Sequence, residues 1–137
     1  MDASRNGGGN GGGIVGIGTD LIEVGRIAEM MERHGERFVE RIFTKDEIEY
    51  CQRRKRSSMH FAGRFAVKEA VFKALGTGWN HGVGWQQVET LSEESGKPVV
   101  GLSGRAAEVA KELKVRSVHV SISHTNEQAV AYVILES

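Results

Sequence analysis

The stretch Phe61 to Gly78, FAGRFAVKEAVFKALGTG, is apolar nearly all the way round, and no other segment constrains the fold as strongly. Projected at about 100° per residue, Phe61, Phe65, Phe72 and Leu75 share one side, Val67 and Ala74 lie behind them, and Ala62, Ala66 and Ala70 continue the circuit. A helix of this kind is buried on most faces. Its charges fall on two narrow stripes, Arg64 with Lys68 and Glu69 with Lys73. Glu69 and Lys73 stand at i and i+4 with the acid first, the order favoured by side-chain reach and by the helix dipole. The spacing permits a structural ion pair, but the apolar belt around Glu69 means that a charged acid there needs a strong reason to stay charged.

The remaining segments are read as the covering of this helix. With 137 residues the chain supports one domain with a modest core. Residues 1–13, MDASRNGGGNGGG, cannot bury enough apolar surface to order themselves and form a flexible leader, which leaves 14–137 as the domain. Gly11, Gly13 and Gly16 satisfy G-x-G-x-x-G, but they precede an apolar run instead of following a strand, so they make no dinucleotide fingerprint. From Ile14, IVGIGTD alternates as a strand, with Gly16, Gly18 and Asp20 on a face that another backbone or a ligand can approach closely. A helix is expected over Val24 to His34, with Ile27, Met30 and Met31 as its apolar stripe. Thr44-Lys45-Asp46-Glu47 is a capping box that opens a helix running to about Arg53, before the basic loop Arg53 to Arg56. Gly76-Thr77-Gly78 ends the long helix.

In the second half, Trp85 to Leu91 and Pro98 to Leu102 read as strands joined by a turn over Ser92 to Lys97. Ser103 is placed to cap a helix over Gly104 to Leu113, with Ala106, Ala107, Val109, Ala110 and Leu113 facing the core. Val118 to Ser123 and Ala129 to Leu135 form a terminal hairpin about Thr125-Asn126-Glu127, and Trp79 and Trp85 close the core. The fold class expected is α+β, an antiparallel sheet with helices packed on one side.

A net charge of zero hides an asymmetry: Arg26 to Lys73 holds 12 Lys/Arg against 8 Asp/Glu, and the rest of the chain holds 6 against 10. The basic half points to anionic partners. Cys51 is the only cysteine, as suits a reducing compartment, and neither a membrane span nor a signal-peptide core is present, so a soluble cytoplasmic protein is expected. Asp20, ending a glycine-faced strand, and Glu69, in a nearly apolar helix, are a donor set that magnesium takes while completing its octahedron with water and phosphate oxygens. Lys73 and the basic loop would suit a polyphosphate held there. His124, at a strand end beside a turn, could face a cleft as a hydrogen-bond donor or proton carrier, or serve a structural hydrogen bond. Ser121 and Ser123 lack the G-x-S-x-G elbow of a hydrolase. These residues alone also fit a non-catalytic anion-binding module or a metal-dependent phosphohydrolase.

GIGTDLIEVGRI, FTKDEIEYC, FAGRFAVKEAVFKALGTG, GKPVVGLSG and VSISHTNEQAVAYVI resemble, in order, the successive motifs of the holo-(acyl-carrier-protein) synthases, the short bacterial class of 4′-phosphopantetheinyl transferases. The resemblance covers Ile14 to Leu135. It implies a homotrimer with active sites at subunit interfaces, Mg²⁺ bound by Asp20 and Glu69, and coenzyme A as donor of the group transferred. The acceptor it implies is a serine hydroxyl of an apo acyl carrier protein, activated for fatty acid biosynthesis. Glu69, Lys73 and His124 are the implied catalytic residues, with Glu69 itself or a metal-bound water as the base. Arg64, Gly96, Lys97, Pro98, His124 and Thr125 match positions lining the coenzyme A pocket, and Arg26 matches the helix that receives the acidic carrier.

Overall fold

The chain was analysed as a computed structural model that describes residues 12–77 and 82–137; residues 1–11 of the leader, the Gly78 end of the long helix and Trp79 lie outside the described residues. In chain order the elements are β1 (Ile14–Glu23), α1 (Val24–His34), α2 (Glu36–Ile42), α3 (Lys45–Gln52), α4 (Ser57–Leu75), a 3₁₀ turn (Trp85–Gln87), β2 (Val88–Ser92), β3 (Pro98–Leu102), α5 (Gly104–Glu112), β4 (Ser117–His124) and β5 (Gln128–Glu136). β1, β5 and β4 form an antiparallel sheet in that order, and β2 and β3 form a separate antiparallel hairpin. The fold is therefore α+β as expected, but its strands make two sheets where one was read.

α4 lies across the three-stranded sheet, and β1 explains how it comes so close. A Cβ built on Gly16 would stand 2.1 Å from the Ala74 carbonyl oxygen, and one on Gly18 would stand 1.8 Å from that of Ala70. Only glycine lets the strand touch the helix backbone there. From β5, Ala129, Ala131, Val133 and Leu135 are fully buried against the same helix. α4 is covered along most of its length, and the covering extends to one charged stripe: Arg64 is 4 % exposed and Lys68 0 %. Lys68 meets the equally buried Glu47 at 2.7 Å. The capping box at Thr44 and Glu47 forms with both of its hydrogen bonds, and Gly76 ends α4 in the left-handed region at φ 76°. Trp85 packs its ring on Phe65 and Phe72, as expected of a core-closing residue.

Three local expectations are corrected, and one helix is added. α2 was not read from the sequence because ERFVERI has no capping side chain and buries only Ile42. The first three residues of the expected strand Trp85 to Leu91 form the 3₁₀ turn, since Gln86 donates to the Phe43 carbonyl at 2.8 Å and Gln87 turns toward α5. Ser103 occupies the cap position of α5 without using its hydroxyl; the Gln87 Oε1 accepts from the Ala106 N–H at 3.0 Å instead. Leu113 lies past the end of α5 and is exposed. At the chain ends, Gly13, placed in the leader by composition, exchanges backbone and side-chain hydrogen bonds with Ser137. Among the described residues no helix is long and apolar enough to cross a membrane.

Candidate active site

β1 and α4 create the first candidate cleft where they cross. Asp20 shares the face of Gly16 and Gly18, so the alternation that brings the glycines against α4 also turns Asp20 toward it. Glu69 precedes Ala70, the residue on which Gly18 packs, and Lys73 follows one turn on. The Lys73 ammonium donates to Asp20 Oδ1 at 3.1 Å and to the Thr19 carbonyl at 2.8 Å. Its ion pair is thus with the strand carboxylate across the crossing, and the helical Glu69–Lys73 pair permitted by spacing is replaced by a three-residue group. Arg26, the first-turn arginine of α1, lines the same cleft of about 230 Å³ with Asp20 and Glu69, and Met30, Phe38 and Phe65 supply an apolar wall.

The electrostatics of this group suit a cation. Burial raises the Glu69 pKa above its ordinary value and the charge of Asp20 raises it further, while Lys73 and Arg26 pull the other way. Two hard carboxylate oxygens at half-buried positions, facing solvent on one side, fit a magnesium ion that keeps several water or phosphate oxygens.

The second cleft, about 140 Å³, lies between the N-terminal half of α4, the β2–β3 hairpin and the end of β4. Arg64 donates to Ser92 Oγ at 3.3 Å, and the Tyr50 ring is held between the guanidinium groups of Arg54 and Arg64, 3.4 and 3.8 Å from its centroid. His60 and His124 face each other edge to face at 5.4 Å. Burial, with the nearby His124, Arg64 and Arg54, lowers the His60 pKa. Gly96 and Pro98 complete the wall from the hairpin, where Gly96 takes a φ of 92° that makes the turn back to Glu93 possible. Gly63 keeps the opposite wall low: a Cβ there would stand 3.1 Å from Ile122.

The residues singled out from the sequence thus separate into two groups. Asp20, Glu69, Lys73 and Arg26 gather at the first cleft; Arg64, Gly96, Pro98 and His124 gather at the second. Lys97 and Thr125 flank the second without lining it. Lys97 is exposed, and the Thr125 hydroxyl accepts from the Glu127 and Gln128 N–H groups at 3.1 Å, shaping the β4–β5 turn. Tyr50, His60 and Ser92 were missed. His60 stands four residues before Arg64 on one helix, a spacing that places both on one face and could have identified it.

The 4′-phosphopantetheinyl transferase superfamily matches residues 16–133. A holo-(acyl-carrier-protein) synthase of Solibacter usitatus is 48% identical over 124 residues, covering 90% of this chain and 99% of its own. One from Koribacter versatilis is 49% identical over 123 residues, covering 90% of this chain and 98% of its own. Among solved structures, a holo-(acyl-carrier-protein) synthase from Bacillus anthracis in complex with CoA (3′,5′-ADP) superimposes with a TM-score of 0.75 at 41% identity, covering 90% of this chain and 97% of that one.

Proposed function

The chain belongs to the 4′-phosphopantetheinyl transferase superfamily, and on that premise we propose that it moves 4′-phosphopantetheine from coenzyme A to a serine of an apo acyl carrier protein. The serine oxygen attacks the β-phosphorus and forms a new P–O bond. The bond from that phosphorus to the bridging oxygen breaks, the serine proton is lost, and adenosine 3′,5′-bisphosphate departs. Negative charge builds on phosphate oxygens and on the leaving group, so catalysis requires fixed positive charge and orientation more than a covalent intermediate.

The convergence of Asp20, Glu69 and Lys73 at one crossing carries this reading. Asp20 and Glu69 would hold Mg²⁺, which when bound neutralises the diphosphate as charge develops on it. Lys73, more than half exposed beside Asp20, can turn its ammonium to a phosphate oxygen. Arg64 and His124 supply the donors of the second cleft for the nucleotide end of coenzyme A, with Gly96, Lys97, Pro98 and Thr125 shaping its rim. Arg26, exposed beside the carboxylates, suits an acidic carrier, which such charges steer rather than bind tightly. Domain 14–137 is the transferase, and the product carrier serves fatty acid biosynthesis in the cytoplasm.

The two clefts lie apart on one chain, and an assembly of three copies would set the carboxylate cleft of one against the nucleotide cleft of the next. The outward face of the three-stranded sheet supports such an assembly: Ile17, Leu21 and Tyr132 are 63, 61 and 56 % exposed there. The test of the function is incubation with apo carrier protein, coenzyme A and Mg²⁺, read by intact mass. A gain of one phosphopantetheinyl group is expected; an unmodified carrier at long times would overturn the assignment.

A further inference from the structure

We propose that the buried Lys68–Glu47 pair positions the second cleft for coenzyme A, which makes Lys68 and Glu47 positioning residues remote from the reacting atoms. Both side chains are 0 % exposed. Glu47 Oε1 accepts from the Lys68 ammonium at 2.7 Å and from the Thr44 N–H at 2.9 Å, and its Oε2 accepts from the Thr90 N–H at 2.8 Å. Lys68 also donates to the carbonyls of Trp85, at 3.0 Å, and Val88. Its three N–H bonds are thereby all used. At this one point α3, α4 and β2 are tied together by directional bonds.

The periodicity of each element carries that tie to the cleft. Tyr50 stands three residues after Glu47 on α3, and Arg64 stands four before Lys68 on α4, in each case on the same helical face. Ser92 stands two residues after Thr90 on β2, on the same face of the strand. Arg64 contacts both Tyr50 and Ser92 in the second cleft. The β2–β3 hairpin is a two-stranded ribbon, which has little stability of its own and takes its placement from what it is bonded to. Burying two charges is costly, and well-packed apolar residues often match or exceed such a pair in stability. Apolar contacts, however, are non-directional and do not fix how far β2 slides along α4. The pair therefore sets where Ser92, Gly96 and Pro98 stand relative to Arg64 and His124.

The inference rests on the second cleft being the coenzyme A site, and the experiment separates the two. Wild type, the double variant Glu47→Leu/Lys68→Met and the isosteric Glu47→Gln are compared by thermal unfolding, by calorimetric titration with coenzyme A and by steady-state transfer. Glu47→Gln keeps one acceptor oxygen for Lys68 and Thr44 but turns an amide N–H toward the Thr90 N–H, which breaks the Glu47–Thr90 leg, leaves the Lys68 bond to the Val88 carbonyl, and removes the counter-charge of Lys68. Folded variants are expected to bind coenzyme A weaker by on the order of tenfold, with kcat at saturating coenzyme A and KM for the carrier close to wild type. Folded variants with coenzyme A affinity within about twofold of wild type would overturn the proposal. A failure of both variants to fold would also overturn it, since the pair would then serve stability. No binding of coenzyme A by wild type would remove the premise, a result distinct from unchanged affinity in the variants.

Discussion

Glu69 is the residue at which stability and function pull apart. Its carboxyl is raised above 4.5, first by burial and then by the charge of Asp20. A carboxyl with a higher pKa folded than unfolded binds more protons when folded. Its contribution to stability is therefore greatest at low pH, falls as pH rises through the folded pKa, and is a net cost at neutral pH. Glu69→Gln is expected to raise the Tm of metal-free protein at pH 7, while cutting transfer by on the order of a thousandfold. Scanning calorimetry with chelator present checks the first part, and a lower Tm would contradict it. Added Mg²⁺ should stabilise wild type and leave the variant unmoved. His60 has the opposite sign: burial, with His124, Arg64 and Arg54, holds its pKa below 6.5, so the unfolded chain binds more protons as pH falls past that value. Its stability contribution is intact above about pH 6.5 and declines below it, toward the folded pKa. His60→Phe, which keeps a ring against Tyr50 and His124, should flatten the fall of the urea midpoint between about pH 7 and 5.

At the scale of elements, the contact of β1 with α4 brings strand backbone onto helix backbone and builds the carboxylate cleft. A Cβ on Gly18 would meet the Ala70 carbonyl, which belongs to helix backbone and cannot rotate away. Gly18→Ala is expected to cost about 3 kcal/mol in urea unfolding, at the upper end for overpacking, and to weaken activity by shifting Asp20 away from Glu69. A loss under about 1 kcal/mol would mean that the strand can lift without penalty. This packing was legible in the sequence because it is local: glycines alternating on one face, and a helix apolar all round. The capping box at Thr44, the Gly76 stop and the terminal hairpin were legible for the same reason. The roles of Lys68 and Glu47 were not, since the partners are 21 residues apart and only the fold brings them together. Lys68 and Arg64 read as a polar stripe, yet both are interior: Glu47 on α3 and the Val88 carbonyl on β2 take the Lys68 ammonium, while Arg64 lies over the Tyr50 ring and donates to Ser92. The carboxylates could be singled out by type and surroundings, but the bond from Lys73 to Asp20 depends on where a strand crosses a helix.

At the scale of the whole molecule, one face of the main sheet is covered by α4, and among the described residues nothing covers the other. Tyr132 stands at the middle of the bare face, on the central strand β5, opposite Thr19 on β1 and Ser121 on β4. Ile17, Leu21 and Ile134 surround it with further exposed apolar surface. A monomer would leave this patch in water, and a sheet face of this kind is well suited to a second copy, which removes apolar area on both sides at once. The proposed trimer also accounts for the separation of the clefts, since neither alone holds both carboxylates and nucleotide-binding donors. Tyr132→Glu places a charge at the centre of the bare face without disturbing the core, because the side chain is already exposed within a single chain. The variant is expected to keep its far-ultraviolet spectrum, to run as a monomer in light scattering, and to lose transfer by on the order of a hundredfold. Activity that stays at the wild-type level in a monomeric variant would show that one chain completes the site unaided.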